Sequence, residues 1–128
     1  MGCSTEEMIS RVEAYFLNVD QGDVKKVLEQ MTPECEITVI TEPITHSGRD
    51  IGIKDMFERR LENTSSAWHG NFRHLADEER GWVTSRFDVQ RTGADGHYRE
   101  MDNINFFEFD GSLISRITIW MSGENSLK

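Results

Sequence analysis

The chain has 128 residues and a mass of 14.8 kDa, which suits one domain with its own core and leaves no room for two. Apolar residues make up 37% of it and charged residues 29%, a balance that excludes a disordered chain. Fourteen Lys and Arg against 23 Asp and Glu leave a net charge of −9. Such a charge repels phosphate backbones and anionic lipid, which argues against nucleic-acid and membrane-surface partners.

The N-terminal stretch Met1-Gly2-Cys3-Ser4-Thr5-Glu6-Glu7 has neither the basic region nor the apolar core of a secretory signal. Glu6 stands where a myristoylation pattern wants Ser or Thr. Cys3 and Cys35 are too few for a disulfide scaffold and lack the partners of a zinc site. No apolar run approaches the ~20 residues of a membrane span. A reduced, cytoplasmic protein is expected.

Ser4 or Thr5 caps a first helix, with Glu6 and Glu7 in its favourable first turn. Met8, Val12, Tyr15, Phe16 and Val19 mark one face of it at three- and four-residue spacing. Gln21-Gly22 stops this helix. A second runs from Asp23 to about Met31 with Val24, Val27, Leu28 and Met31 inward, and Pro33 ends it. Ile37–Thr41 is β-branched throughout and predicts a strand. A loop over 42–48 leads to a third helix from about Arg49 to Leu61, with Ile53, Met56, Phe57 and Leu61 on one side.

From about residue 66 the period changes to two. Four strands are predicted over Ala67–Asp77, Gly81–Arg91, Tyr98–Phe109 and Ser112–Met121, with Asp110-Gly111 as a hairpin turn. Three helices followed by an antiparallel meander point to an α+β fold with the helices packed on one concave face. Met101, Phe107 and Phe109 share one face of their strand, and Ile104 and Phe106 the other. In the last strand Ile117, Ile119 and Met121 oppose Arg116, Thr118 and Trp120. A sheet apolar on both sides needs cover on both. Helices supply one cover, and a second copy of the chain in a homodimer is the expected other.

Three stretches carry a resemblance. They are Tyr15-Phe16-Leu17-Asn18-Val19-Asp20-Gln21-Gly22-Asp23, His46-Ser47-Gly48-Arg49-Asp50-Ile51 with Met56-Phe57, and Phe109-Asp110-Gly111-Ser112-Leu113-Ile114 with Trp120. Together they resemble the nuclear transport factor two-like superfamily, in its ketosteroid isomerase and SnoaL-like polyketide cyclase branch. The resemblance implies a cone-shaped, curved antiparallel sheet wrapped around the N-terminal helices.

It also implies a site. Tyr15 falls where ketosteroid isomerases place a tyrosine that donates to the substrate oxygen. Asn105 falls where they place a second donor, and an amide donates without any pKa shift. Aligning on Pro43 puts Glu42 at the position of the general base, where burial beside Trp120 and Phe57 would raise its pKa. Aligning without gaps from the second helix puts Val39 there instead.

His46, four residues from Glu42, is an alternative base. By strand parity His69 and His74 lie on opposite faces, and His69, with Asn71 on its own face, is expected in the cavity. Phe57, Met101 and Trp120 are expected to line the pocket, and Arg116 on Trp120's face is the candidate for an anionic group. No pair of histidines has metal-ligand spacing. The implied activity is cofactor-free proton transfer next to a carbonyl of a hydrophobic small molecule, as isomerase, cyclase or dehydratase. The alternative is a non-catalytic module that holds a small ligand or a partner protein.

Overall fold

The computed structural model describes residues 2–128. Helix α1 spans Thr5–Asp20, and the Ser4 hydroxyl accepts the Glu7 N–H at 3.1 Å as its cap. All five residues of its predicted apolar face are buried. Gly22, at φ +68°, turns the chain out of the helix. Asp23 then caps α2, Val24–Glu29.

That helix stops two residues short of Met31, which already belongs to strand β1, Met31–Val39. Pro33 sits in β1 between the register pairs Met31–Ile114 and Glu36–Arg116, where the ladder is irregular and demands no N–H from it. The expected loop contains a short strand, β2, Ile44–Ser47, paired antiparallel with β1. The third helix is entered through a π-helical turn at Gly48–Ile53 before α3, Lys54–Glu62. Within that turn a Cβ on Gly52 would stand 2.7 Å from the Ser47 carbonyl oxygen, so only glycine fits.

Strands β3 (Thr64–Asp77), β4 (Trp82–Gly93), β5 (Tyr98–Asp110) and β6 (Leu113–Trp120) form the expected meander. The six strands are ordered β2-β1-β6-β5-β4-β3 in one curved, unclosed sheet. All neighbours run antiparallel except β1 and β6, which are parallel. Helix α1 fills the concavity: the Phe16 ring lies 4.5 Å from Phe87 and 5.8 Å from Phe107, centroid to centroid. No helix among the described residues is long and apolar enough to cross a membrane.

Parity in β3 departs from the expectation. Asn71 takes the left-handed conformation, φ +54°, and the register slips between Gly70 and Arg73. This bulge gives β3 one extra residue and resets its alternation. His69 and His74 therefore both turn toward the helices, whereas Asn71 faces out and donates to Asp88 at 2.8 Å.

Candidate functional site

The concave face, α1 and α3 enclose a cavity of about 30 Å³, space for one or two waters. Tyr15, Phe57, His69, Met101 and Asn105 all line it. Tyr15 is placed there by the inward stripe of α1, and its ring meets Phe107 and Phe57 edge-on at 5.7 and 6.4 Å. The residue is only 3% exposed, and no hydrogen bond to its hydroxyl is found among the described residues. Burial pushes the phenol's pKa well above its ordinary value, so the group stays a donor.

Asn105 reaches the cavity by the alternation of β5, one step from Asn103 and one from Phe107. It is 2% exposed, and its Oδ1 has no partner among the described residues. Buried polar groups are almost always satisfied. The unpartnered Oδ1 is an acceptor, and the Asn105 Nδ2 makes no hydrogen bond among the described residues either, so this amide offers a ligand both a donor and an acceptor.

His69 carries a partner the sequence reading missed. Its Nδ1 lies 2.5 Å from Asp20 Oδ1, and its backbone N–H donates to Asp20 Oδ2 at 2.8 Å. The carboxylate orients the imidazole and leaves Nε2 as its free nitrogen. The ring rests beside Phe16 and Phe87, at 5.0 and 5.6 Å. Asp20 ends α1, where the helix dipole disfavours a negative charge and no basic residue compensates it. That mismatch was the available signal. By contrast His74 is spent on Ser85 Oγ and Glu13, at 2.7 and 2.8 Å.

Arg60 is the second residue the sequence reading missed. It follows Met56 by four and Phe57 by three, so it extends the apolar stripe of α3 into the cavity wall, while Leu61 turns outward and is half exposed. Burial, helped by the like charge of Arg91, lowers the Arg60 pKa, opposed by the charge of Asp20.

Four expected site residues lie elsewhere. Trp120 and Arg116 stand on the outer face of β6, because inward positions there belong to Ile117 and Ile119. Arg116 pairs with Glu36 at 2.8 Å. Glu42 is exposed: its carboxylate accepts the Asn125 N–H and pairs with Lys128, both at 2.9 Å. Lys128, followed by the Asn125 N–H, holds the Glu42 carboxyl below its usual pKa, the reverse of the burial-driven rise expected of a base. His46 is buried on β2 with Nε2 2.5 Å from the Leu127 carbonyl oxygen. Glu42 and His46 thus moor the segment 123–128, whose Ser126 and Leu127 close one side of the cavity. Among the described residues no three His, Cys, Asp or Glu side chains converge as a metal site.

Residues 12–117 match the family model of the SnoaL-like domain. No curated protein matches. Among solved structures, AusH from Aspergillus nidulans shares 12% identity at a TM-score of 0.81, over 97% of this chain and 90% of that one. The BvnE pinacolase from Penicillium brevicompactum shares 13% at 0.78, over 95% and 88%. An NTF2-like protein from Burkholderia xenovorans LB400 shares 17% at 0.76, over 94% and 93%. At these identities the likeness to each structure is one of fold. The family match runs from within α1 to within β6 and takes in most of the cavity lining, and the chain belongs to the SnoaL-like domain family, with a nuclear transport factor two-like fold.

Proposed function

We propose that the protein is a cytoplasmic, cofactor-free enzyme that moves a proton next to the carbonyl of a hydrophobic small molecule. The observation that carries this reading is the Asp20-bound His69 on the same cavity as Tyr15 and the unpartnered Asn105 amide. His69 Nε2 removes a proton from the carbon beside the carbonyl, and the electron pair moves onto the carbonyl oxygen. Tyr15 Oη–H and the Asn105 amide donate to that oxygen, each worth a few kcal/mol in a dry site. Where a carbon–carbon double bond adjoins that carbon, imidazolium, steadied by Asp20, returns the proton at its far end and completes an isomerisation. Attack of the enolate carbon on a second carbonyl, whose oxygen takes the imidazolium proton, gives the cyclase outcome, and expulsion of a β-hydroxyl that takes that proton and leaves as water gives the dehydratase outcome. The BvnE pinacolase, which shares this fold, supports an enzymatic reading.

The small free volume of the cavity favours a second reading, a non-catalytic module that grips a ligand at its mouth. Deuterium exchange at the α-carbon of β-tetralone, followed by proton NMR, separates the two. Wild-type protein is expected to accelerate exchange, His69→Gln to abolish the acceleration, and Tyr15→Phe to reduce it about tenfold to a hundredfold. Binding of β-tetralone without exchange decides for the module. Equal rates in wild type and His69→Gln overturn the assignment of the base. The same proposal has two copies associate through the outer sheet face.

A further inference from the structure

Arg60 is 8% exposed, yet no hydrogen bond or ion pair to its guanidinium is found among the described residues. In a chain with 23 carboxylates and a net charge of −9, a desolvated cation without an acceptor is costly. An apolar residue would continue the α3 stripe at no such cost. The isolation of Arg60 therefore needs a reason, and its position offers one. It lines the inner cavity beside His69 and Asn105, and it also lines an outer cleft of about 480 Å³. One side chain thus stands at the junction of a roomy mouth and a small reactive interior.

The other cations of the mouth are mostly committed. Arg59 is paired with Asp55 and the Lys128 main-chain oxygen, Arg99 with Glu124 at 3.5 Å, and Lys128 with Glu42 at 2.9 Å. Arg91 is buried, and it spends Nε on Thr64 Oγ1 and Nη2 on the Asn63 carbonyl, both at 3.0 Å. Among the described residues it meets no carboxylate within 4.0 Å, and Glu124 and Asp95 offset its charge only from further off, beside the like charge of Arg60. Asp95 and Glu124 lie on the rim of the same cleft. The unpaired guanidinium of Arg60 matches one singly negative, planar group better than a phosphate dianion, which the rim acids repel more strongly.

We propose that Arg60, backed by Arg91, is the binding site for a carboxylate on the substrate, so that the substrate class is an amphipathic keto acid. The ionised end lies in the outer cleft on Arg60, and the carbonyl end points inward to Tyr15, Asn105 and His69. This rests on the proton-transfer reading for the role of the inner groups, but the recognition of the anion is read by binding alone.

Calorimetric titration with β-benzoylpropionate, its primary amide and phenyl phosphate tests it, in wild type and in Arg60→Gln. The acid is expected to bind wild type about tenfold more tightly than the amide, the worth of a charge-assisted pair. Arg60→Gln should erase that ratio and leave amide binding unchanged, while melting no lower than wild type because it removes a buried, unpaired charge. Arg60→Lys should restore part of the ratio. Equal affinity for acid and amide, a ratio unaltered in Arg60→Gln, or no binding of any of the three compounds overturns the proposal. Tighter binding of phenyl phosphate than of the acid overturns the assignment to a carboxylate. Loss of exchange in His69→Gln with the acid-to-amide ratio intact keeps the anion site apart from the catalytic reading.

Discussion

Tyr15 and Asn105 are worse for the fold than their apolar counterparts would be. A buried polar atom without a partner forfeits its hydration and gains nothing back, at a cost of about 1–3 kcal/mol. Removing the phenol oxygen in Tyr15→Phe leaves the ring contacts with Phe16, Phe57 and Phe107 in place. Asn105→Leu keeps roughly the same volume on the β5 wall. Each variant is expected to raise stability by about 1 kcal/mol, seen as a melting temperature a few degrees higher, while each weakens exchange or ligand binding. A melting temperature that falls in Tyr15→Phe would assign the hydroxyl a structural partner and remove it from the site. Both residues were legible in the sequence, because α1 periodicity and β5 alternation depend only on local spacing. Arg60 was legible too, since 53, 56, 57 and 60 share one helix face, but apolar Leu61 competes for the same stripe. Asp20 carried only the mismatch with the helix dipole as a signal, and its pairing with His69 was not legible, because that contact spans 49 residues and depends on how β3 runs past the end of α1.

At the scale of elements, two short irregular features decide what reaches the cavity. The bulge at Asn71 breaks the period of two on which the placement of His74 rested, and a lone positive φ leaves no mark in a hydrophobic pattern. The segment 123–128 has no regular structure, so neither period locates it. It is held by side-chain bonds instead: Asn125 Oδ1 accepts the Leu127 N–H at 2.8 Å, and its Nδ2 donates to the Glu42 carbonyl at 3.1 Å. Glu42 completes the mooring through a carboxylate whose folded pKa is depressed. Its contribution is therefore present above the ordinary carboxylate range, roughly pH 4, and is lost as the pH falls through the lower folded value. Amide protection of Asn125 and Leu127, measured by hydrogen exchange across that range, is expected to drop on acidification ahead of the core strands. Glu42→Ala should reproduce the drop at neutral pH. Protection that is unchanged by both would show that His46 and Asn125 moor the segment without Glu42.

For the molecule as a whole, the helices cover only the concave side of the sheet. On the other side Trp82, Ile104 and Trp120 are each about 40% exposed, and they lie on the three adjacent strands β4, β5 and β6. Ile104 is directly opposite Trp120 in the ladder, and the Trp82 ring meets Phe106 edge-on at 5.5 Å, so the four side chains make a continuous stripe. Ion pairs flank it, Arg86 with Asp102 on one side and Arg116 with Glu36 on the other. An apolar centre with a charged rim is the composition of a protein interface. A stable one takes about 800 Å² from each partner, a modest share of the 6874 Å² this chain exposes. Because the stripe crosses the middle of the sheet, a two-fold axis through it would bring Ile104 and Trp120 of one copy onto the same residues of the other. Light scattering at micromolar concentration is expected to give about twice the 14.8 kDa chain mass. Ile104→Glu should halve that value, since it places two like charges at the centre of the contact, while leaving β-tetralone exchange measurable because the cavity opens on the other face. A wild-type mass equal to that of one chain would remove the second copy as the cover and leave the stripe to a different partner.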